Sequence, residues 1–236
     1  MASWRLRRPW GLTDHEDTVV TIKRGQPWGE RRIPPANLPV ATSDRQAAKL
    51  LSEGCQEFLL TGGDMFRTLG GAPASSLDLE RTVVTVDTML VSYFQVETGL
   101  RHQYPVFSHA VFTERCWPRW LGRFQLLINR LRPADQYFIM NTQFLGSWDV
   151  IPRGHPNDGR LDILTVPASL SWRQRWQFRR RIQTGTHVPH PLIEVRPITQ
   201  TWSAEGCGTL ILDGLNRGPV EDLTISVVSD SVTVWF

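Results

Sequence analysis

The sequence is poor in lysine and cysteine and contains no long apolar run. Only Lys23 and Lys49 are lysines, so arginine carries nearly all of the positive charge. Cys55, Cys116 and Cys207 are widely spaced and form no C-x-x-C pair, which predicts neither a disulfide framework nor a structural zinc site. No stretch of about eighteen apolar residues occurs, and no apolar segment follows the basic N-terminus. We therefore expect a cytoplasmic protein and leave peripheral contact with the inner membrane face open.

The length and the charge balance narrow the classes of function. A chain of 236 residues has enough material for one large domain or two small ones. Its 26 Lys and Arg residues against 23 Asp and Glu residues leave a net charge of +3, which is weak support for a polyanionic partner. We therefore expect no nucleic-acid partner. The sequence contains no internal repeat or low-complexity tract.

Strands and helices alternate at the start of the chain. Ser43 and Asp44 are preferred N-cap residues for a helix at 45–52, which Gly54 stops. The other predicted elements here are strands at 18–22, 38–42 and 57–61, a Gly-Gly-Asp turn at 62–64 and a short helix at 65–69. This order predicts a small parallel α/β unit, which binds ligands at the carboxyl ends of its strands.

From about residue 79 the pattern changes to β structure. Apolar and alternating runs predict strands at 81–86, 89–96, 105–112, 137–142, 161–164, 210–213, 223–228 and 232–235. The segment 117–131, rich in Trp, Arg and Leu, fits either a helix or a strand pair. We therefore predict an α+β fold with two domains, an α/β lobe at 1–78 and a β-sandwich at 79–236.

Two motifs in the second domain together resemble a known family. The run 155–164, HPNDGRLDIL, places a Pro-Asn-Asp-Gly turn before an alternating strand, and 185–191, GTHVPHP, is predicted to be the return strand after a helix. This order is similar to the C-terminal β-sandwich of the bacterial diacylglycerol and sphingoid-type lipid kinases, distant relatives of the NAD kinases. The resemblance implies a shortened nucleotide-binding lobe and ATP-dependent phosphorylation of a lipid hydroxyl, such as that of diacylglycerol.

A second motif of that family is retained at 60–70, LTGGDMFRTLG, where seven of eleven residues match Gly-Thr-Gly-Asn-Asp-Phe-Ala-Arg-Thr-Leu-Gly. The resemblance implies that Asp64 is catalytic, either by holding Mg²⁺ or by orienting the attacking hydroxyl. It also implies that Thr61, Gly62, Gly63 and Arg67 bind the nucleotide. From the residues alone, the alternative is a Gly-Gly turn with Asp64 capping the next helix.

Three further carboxylates have both a functional and a structural interpretation. Family members bind phosphate with a Gly-Gly-Asp-Gly-Thr turn, and the segment 41–45 reads ATSDR here. The resemblance thereby implies that Asp44 binds nucleotide, although Ser-Asp before a helix is also an ordinary N-cap. It implies a structural Mg²⁺ near Asp158 and Asp162, which lie four residues apart across a glycine turn. The alternative is a turn Asp that bonds its own backbone and a strand Asp that faces solvent.

One family motif is lost. Asp213-Gly214-Leu215 stands where family members have Asp-Gly-Glu. A leucine neither accepts a proton nor binds a metal, so Asp64 or Glu221 would have to replace the missing glutamate. Two hypotheses stand: an ATP-dependent lipid kinase that reaches its lipid substrate at a membrane surface, and an inactive descendant that binds lipid, nucleotide or a protein partner. The edge strands of a sandwich leave a homodimer open.

The segment 171–182, SWRQRWQFRRRI, combines two Trp and five Arg residues. A helix here would place Trp172 and Trp176 on one face and three arginines near its C-terminal end, where the helix dipole favours cations. The pattern fits a surface helix that packs Trp176 and Ile182 onto the sandwich, or an interfacial patch for anionic lipid headgroups.

Overall fold

A computed structural model describes residues 28–72, 80–114, 134–188 and 192–236. The predicted strand at 18–22 and the segment 117–131 lie outside these residues. The helices of the described part are α1 (Asp44–Ser52), α2 (Asp64–Thr68) and α3 (Trp172–Arg181). Its strands, in chain order, are β1 (Glu30–Arg32), β2 (Val40–Ala41), β3 (Glu57–Leu60), β4 (Arg81–Gln95), β5 (Leu100–Val106), β6 (His109–Thr113), β7 (Gln136–Met140), β8 (Phe144–Leu145), β9 (Trp148–Asp149), β10 (Leu161–Val166), β11 (Glu194–Ile198), β12 (Thr201–Ala204), β13 (Gly208–Leu212) and β14 (Leu215–Trp235).

Twelve of the described strands form one sheet. Its main order is β1-β4-β14-β13-β6-β7-β10-β11, and it also includes β5 beside β4, β12 and β3 beside β14, and β2 beside β3. Within the described residues only the pairs β2–β3 and β3–β14 are parallel. These parallel strands alternate with α1 and α2, as predicted for the first part of the chain. The large antiparallel sheet and the few helices confirm the α+β class.

Two long strands organise the sheet. The sequence predicts two strands for each of β4 and β14, but each is a single long strand, because the ladder resumes after the polar residues that interrupt the apolar pattern. A bulge between Val228 and Val232 accommodates the extra residues of β14. The first half of β4 pairs with the end of β14, and the second half pairs with its middle part. The predicted strand at 105–112 is instead divided between β5 and β6.

Three apolar clusters fill the interior. One packs α1 and α2 against β3 and the adjoining ends of β4 and β14. A second lies among β4, β5, β6, β13 and the first half of β14. The third lies beneath α3, where Phe178 and Ile182 are buried. Of the two side chains predicted to pack beneath this helix, Ile182 does so, but Trp176 is exposed and Phe178 is buried instead.

The strand that returns beside β10 begins later than predicted. Residues 186–188 are not in a strand, and the partner of β10 is β11. The rest of the predicted strand, 189–191, lies outside the described residues. His187 is instead buried, with its Nε2 2.9 Å from the carbonyl oxygen of Val150.

The buried Asp87 ties three segments together. Its side chain is fully buried in β4. Its carboxylate accepts the N–H of Asp230 in the β14 bulge and the N–H of Gly159 in the Pro-Asn-Asp-Gly turn at 156–159, the signature turn, each at 2.8 Å. Its own N–H donates to the carbonyl oxygen of Pro156. The side-chain amide of Asn157 reaches the carbonyl oxygen of Thr85. The Pro-Asn-Asp-Gly turn of the sequence is thereby fixed against the longest ladder of the sheet.

The two described cysteines differ in their bonding: Cys207 is disulfide-bonded and Cys55 is free. A disulfide is therefore present where spacing predicted no disulfide framework, because spacing does not report which segments a sheet brings together.

Among the described helices none is both long and apolar enough to cross a membrane. The division at residues 78 and 79 stays a prediction, and β14 pairs with β3 across it.

We predict that Asp87→Ala lowers the free energy of unfolding by about 2 kcal/mol, because two buried N–H groups lose their acceptor. Urea unfolding followed by circular dichroism measures this change. Asp222→Asn is the control, since Asp222 makes only an exposed ion pair with Arg101 and should cost less than about 0.5 kcal/mol. Equal stability of the two variants would contradict the proposed role of Asp87.

Candidate functional site

The turns after β2 and β3 lie side by side at the carboxyl ends of these parallel strands. The N–H of Thr61 donates to the carbonyl oxygen of Ala41 at 2.9 Å. Gly62 packs so closely that a Cβ would lie 2.7 Å from the carbonyl oxygen of Thr42. The two turns that the sequence predicts to bind nucleotide therefore meet at one edge of the sheet.

Asp44 caps the N-terminus of α2 and not its own helix. Its carboxylate accepts the N–H of Asp64 at 2.6 Å and the N–H of Met65 at 3.1 Å. Gly63 precedes this cap with φ +105°, and a Cβ there would lie 2.6 Å from Oδ1 of Asp44. Ser43 is the N-cap of α1. The Gly-Gly turn is thus shaped by a carboxylate from the neighbouring turn.

The buried carboxyl of Asp44 is unusually easy to protonate. Burial raises its pKa to about 7, and the two N–H groups that it accepts oppose this shift. The negative charges of Asp213 and Asp64 raise the pKa further. Three carboxyl groups therefore act on one another at this edge of the sheet.

Asp64 and Arg67 hold the β8–β9 hairpin through the N–H and the carbonyl group of one residue, Gly146. Oδ1 of Asp64 accepts the N–H of Gly146 at 2.9 Å, and Nη1 of Arg67 donates to the carbonyl oxygen of Gly146 at 2.8 Å. The guanidinium of Arg67 also lies 3.8 Å from the ring centroid of Phe144. The residues predicted to be catalytic and nucleotide-binding thus position the hairpin.

The Asp213-Gly214 turn between β13 and β14 carries a second buried carboxylate. Its two residues have φ +44° and +74°, as a tight hairpin turn requires. Oδ1 of Asp213 accepts the N–H groups of Ser108 and His109 and the hydroxyl of Ser108, and Oδ2 accepts the N–H of Phe107, all at 2.8–3.1 Å. This carboxylate therefore shapes the break between β5 and β6.

Two side chains flank that turn. Nη2 of Arg45 donates to the carbonyl oxygen of Gly214 at 2.9 Å and thereby links α1 to the turn. Leu215, which stands where the family that the sequence resembles has a glutamate, is 39% exposed. Glu221, the other carboxylate considered as its substitute, lies farther along β14 opposite Phe94.

A cavity of about 440 Å³ lies beside this turn, between the sheet, the β8–β9 hairpin and α3. His109 and Gly214 line one end, and Thr113 and Gln136, partners across the β6–β7 ladder, line the other. Arg175 and Arg179 of α3 also line it. The remaining walls are apolar and consist of Val111, Leu145, Phe138, Trp148, Val166, Phe178 and Ile211.

His109 and Ser108 are site residues that sequence reasoning misses. Nδ1 of His109 lies 2.8 Å from Oγ of Ser108, and the ring is 4% exposed. No motif surrounds the two residues. Their one signal in the sequence is a polar pair inside an apolar predicted strand.

Asp158 lies in the Pro-Asn-Asp-Gly turn, and Asp162 lies in β10. Oδ1 of Asp158 accepts the N–H of Arg160 at 3.1 Å, the bond of an Asx turn. Burial and the charge of Asp158 raise the pKa of Asp162 to about 6, and burial raises the pKa of Asp158. The two carboxylates are electrostatic neighbours. In the parts of the chain described above, no three Asp, Glu, His or Cys side chains converge to hold a metal ion.

Comparisons with known proteins return only distant similarity. No family model and no curated protein matches the chain. Three solved structures from Bacillus anthracis str. Sterne are similar, two described as candidate diacylglycerol kinases and one as a diacylglycerol kinase. Each is 15% identical over 75% of this chain, with 68%, 68% and 66% of their own chains covered and TM-scores of 0.49, 0.48 and 0.43. Similarity at this level assigns neither a family nor an activity.

We predict that Asp162→Asn raises the free energy of unfolding at pH 7.5 by roughly 1 kcal/mol after solvent screening, and leaves it unchanged near pH 4. The folded protein holds the proton of Asp162 up to about pH 6, whereas the ordinary pKa of an aspartic acid is 3.8. The contribution of Asp162 to the stability of the wild type is therefore lost as the pH rises between these values, and this loss is absent from the variant. Urea unfolding at both pH values tests this, with Asp222→Asn as the control. A variant that is less stable at pH 7.5 would contradict it.

Proposed function

We propose that this chain is a lipid kinase-like protein that transfers the γ-phosphate of ATP to a lipid hydroxyl, such as that of diacylglycerol. The cavity carries this proposal, because its walls are largely apolar while His109 lines one end near the charges of Asp64 and Asp213. Apolar walls suit an acyl chain. A hydroxyl at the end lined by His109 would then face the predicted nucleotide turns.

ATP would bind at the turns after β2 and β3. There the resemblance implies contacts from Thr61, Gly62, Gly63 and Arg67. N–H groups of a glycine turn can approach phosphate oxygens without interference from a Cβ. In this proposal Asp64 orients the hydroxyl or holds the Mg²⁺ that accompanies ATP. Asp44 acts by shaping the Gly-Gly turn, since both of its oxygens accept N–H groups of α2.

The second candidate is an inactive relative that binds lipid or nucleotide without turnover. Leu215 favours it, because the family's glutamate is missing from the turn beside the cavity. The engagement of Asp64 and Arg67 with Gly146 also favours it, since a group that holds a hairpin is less free to change partner during a reaction.

Asp158 and Asp162 are the residues that would hold a structural Mg²⁺. The fit is partial: both carboxylates have raised pKa values, so a cation would relieve their mutual repulsion and burial. Carbonyl groups and waters would have to complete the six oxygens that Mg²⁺ prefers. If these carboxylates bind Mg²⁺, we predict that Mg²⁺ raises the melting temperature of the wild type at pH 7.5 and leaves that of Asp162→Asn unchanged.

A transfer assay with radiolabelled ATP, Mg²⁺ and mixed lipid extracts tests the proposed activity. We predict transfer by the wild type and a loss of at least about a hundredfold in Asp64→Asn. This variant keeps an oxygen for the N–H of Gly146 and removes only the charge, so hydrogen exchange at Gly146 should stay slow. We also expect Val111→Trp, which fills the cavity, to abolish transfer, whereas Val96→Trp outside the cavity retains it.

Two results would contradict this assignment. Wild-type rates in Asp64→Asn would remove Asp64 from the chemistry. No transfer by the wild type, together with a lipid-induced rise in melting temperature that Val111→Trp loses, would establish the inactive binder.

We further propose that α3 meets the anionic face of a bilayer. Trp172 and Trp176 are 72% and 55% exposed, and each lies within cation–π distance of an arginine of the same helix. No acidic residue occurs between 163 and 193. Arg175 and Arg179 line the cavity from this helix, so a lipid would have a short path from the bilayer.

Vesicle sedimentation with phosphatidylcholine alone and with added phosphatidylglycerol tests this surface. We expect binding only to the anionic vesicles, loss of binding in Trp172→Ala/Trp176→Ala, and about 30-fold weaker binding in Arg180→Gln/Arg181→Gln, at roughly 1 kcal/mol per arginine. Leu100→Ala, at an exposed apolar site, is the control and should bind as the wild type does. Salt-sensitive binding to nucleic acid without vesicle binding would contradict the proposal.

A further inference from the structure

His109, which lines one end of the cavity, belongs to a chain of three hydrogen-bonded side chains. Nδ1 of His109 lies 2.8 Å from Oγ of Ser108, and Oγ of Ser108 lies 2.8 Å from Oδ1 of Asp213. All three residues are buried. His109 is the first residue of β6 and lines the cavity. Gly214, the residue after Asp213, also lines it.

The number of available protons fixes which atom donates and which accepts in each of these hydrogen bonds. A carboxylate only accepts, so the single hydroxyl proton of Ser108 goes to Asp213, and its oxygen is left to accept from Nδ1–H of His109. The imidazole is then held with the proton on Nδ1 and a lone pair on Nε2. No residue of the described segments forms a hydrogen bond with Nε2, and the ring borders the cavity.

The surroundings favour the neutral ring. Burial lowers the pKa of His109, and the negative charges of Asp213 and Asp64 oppose that shift. Arg175 and Arg179 add positive charge elsewhere in the cavity lining. A neutral imidazole with a free lone pair accepts a hydrogen bond from a hydroxyl, and accepts its proton once the hydroxyl oxygen becomes bonded to phosphorus.

We infer that His109 is the hydroxyl-binding residue and proton acceptor of the lipid site, in place of the glutamate that Leu215 replaces. The inference rests on the proposed function. In the step, the lipid oxygen forms a bond to the γ-phosphorus of ATP, the bond from that phosphorus to the bridging oxygen breaks, and ADP leaves with the electron pair. The hydroxyl proton passes to Nε2 of His109.

His109 is better placed for this role than the two carboxylates considered from the sequence. One oxygen of Asp64 already accepts the N–H of Gly146. Glu221 lies opposite Phe94 in the β14–β4 ladder and is not among the residues that line the cavity. Ser108 and Asp213 act as positioning residues, because they hold the ring and do not line the cavity themselves.

Two measurements on the full chain test the inference, one of them independent of turnover. The first records the imidazole nitrogen resonances of the wild type with dioctanoylglycerol, and with its analogue that has a hydrogen in place of the hydroxyl. We expect the Nε2 resonance of His109 to be that of an unprotonated nitrogen in the free protein. It should shift with dioctanoylglycerol and not with the analogue. In Ser108→Ala the preference for this tautomer should weaken.

The second measures transfer from ATP to dioctanoylglycerol. We expect His109→Gln to lower kcat by roughly 10²–10⁴-fold with little change in KM, as for the loss of a general base. His102→Gln is the matched control, because the ring of His102 packs between Tyr93 of β4 and Tyr104 of β5 and does not line the cavity. It should retain wild-type kcat. Melting curves of both variants verify that each is folded.

The outcomes separate this inference from the proposed function. Wild-type kcat in a folded His109→Gln, or a His109 resonance that responds equally to both lipids, would overturn the assignment of His109. No transfer by the wild type, with the hydroxyl-dependent shift retained, would overturn the kinase proposal and support His109 as the hydroxyl contact.

Discussion

The ladder between β4 and β14 is the interaction on which the rest of the structure depends. Both strands run through the core that contains α1 and α2 and through the core beside β5 and β13, so the ladder joins the two. Its weak point is the bulge of β14, where the ladder leaves the N–H of Asp230 to be satisfied by a side chain. Asp87 supplies that acceptor and uses its other oxygen for Gly159, which fixes the signature turn to the sheet.

The same physical solution recurs in the candidate site. Asp44, Asp87 and Asp213 are buried carboxylates, and each accepts backbone N–H groups from segments remote in sequence. Burial raises the pKa of Asp44 and of Asp87, so keeping them charged costs free energy that the N–H bonds partly offset. These bonds hold the turns after β2, β3 and β13, and Gly214 of the last turn lines the cavity, where the proposed chemistry needs rigid groups.

Motif residues can therefore carry structural and chemical roles together. Asp64 and Arg67 belong to a motif that implies nucleotide binding, yet both bind backbone groups of Gly146. A hairpin held this way forms part of the cavity wall through Leu145 and Trp148. The arrangement links the predicted nucleotide turns to the proposed lipid site through one short segment, which is the physical basis for considering them parts of a single site.

The sequence by itself determined the α+β class, both N-terminal helices and the parallel strands, because N-caps such as Ser43, stop signals and apolar periodicity act over a few residues. The resemblance also implied that Asp44 and Asp64 serve one nucleotide site. Only the tertiary structure decided that β4 and β14 are continuous and that His109 meets a carboxylate 104 residues away. Such pairings depend on ladder register and on burial, which satisfy polar groups across distances that no local pattern encodes.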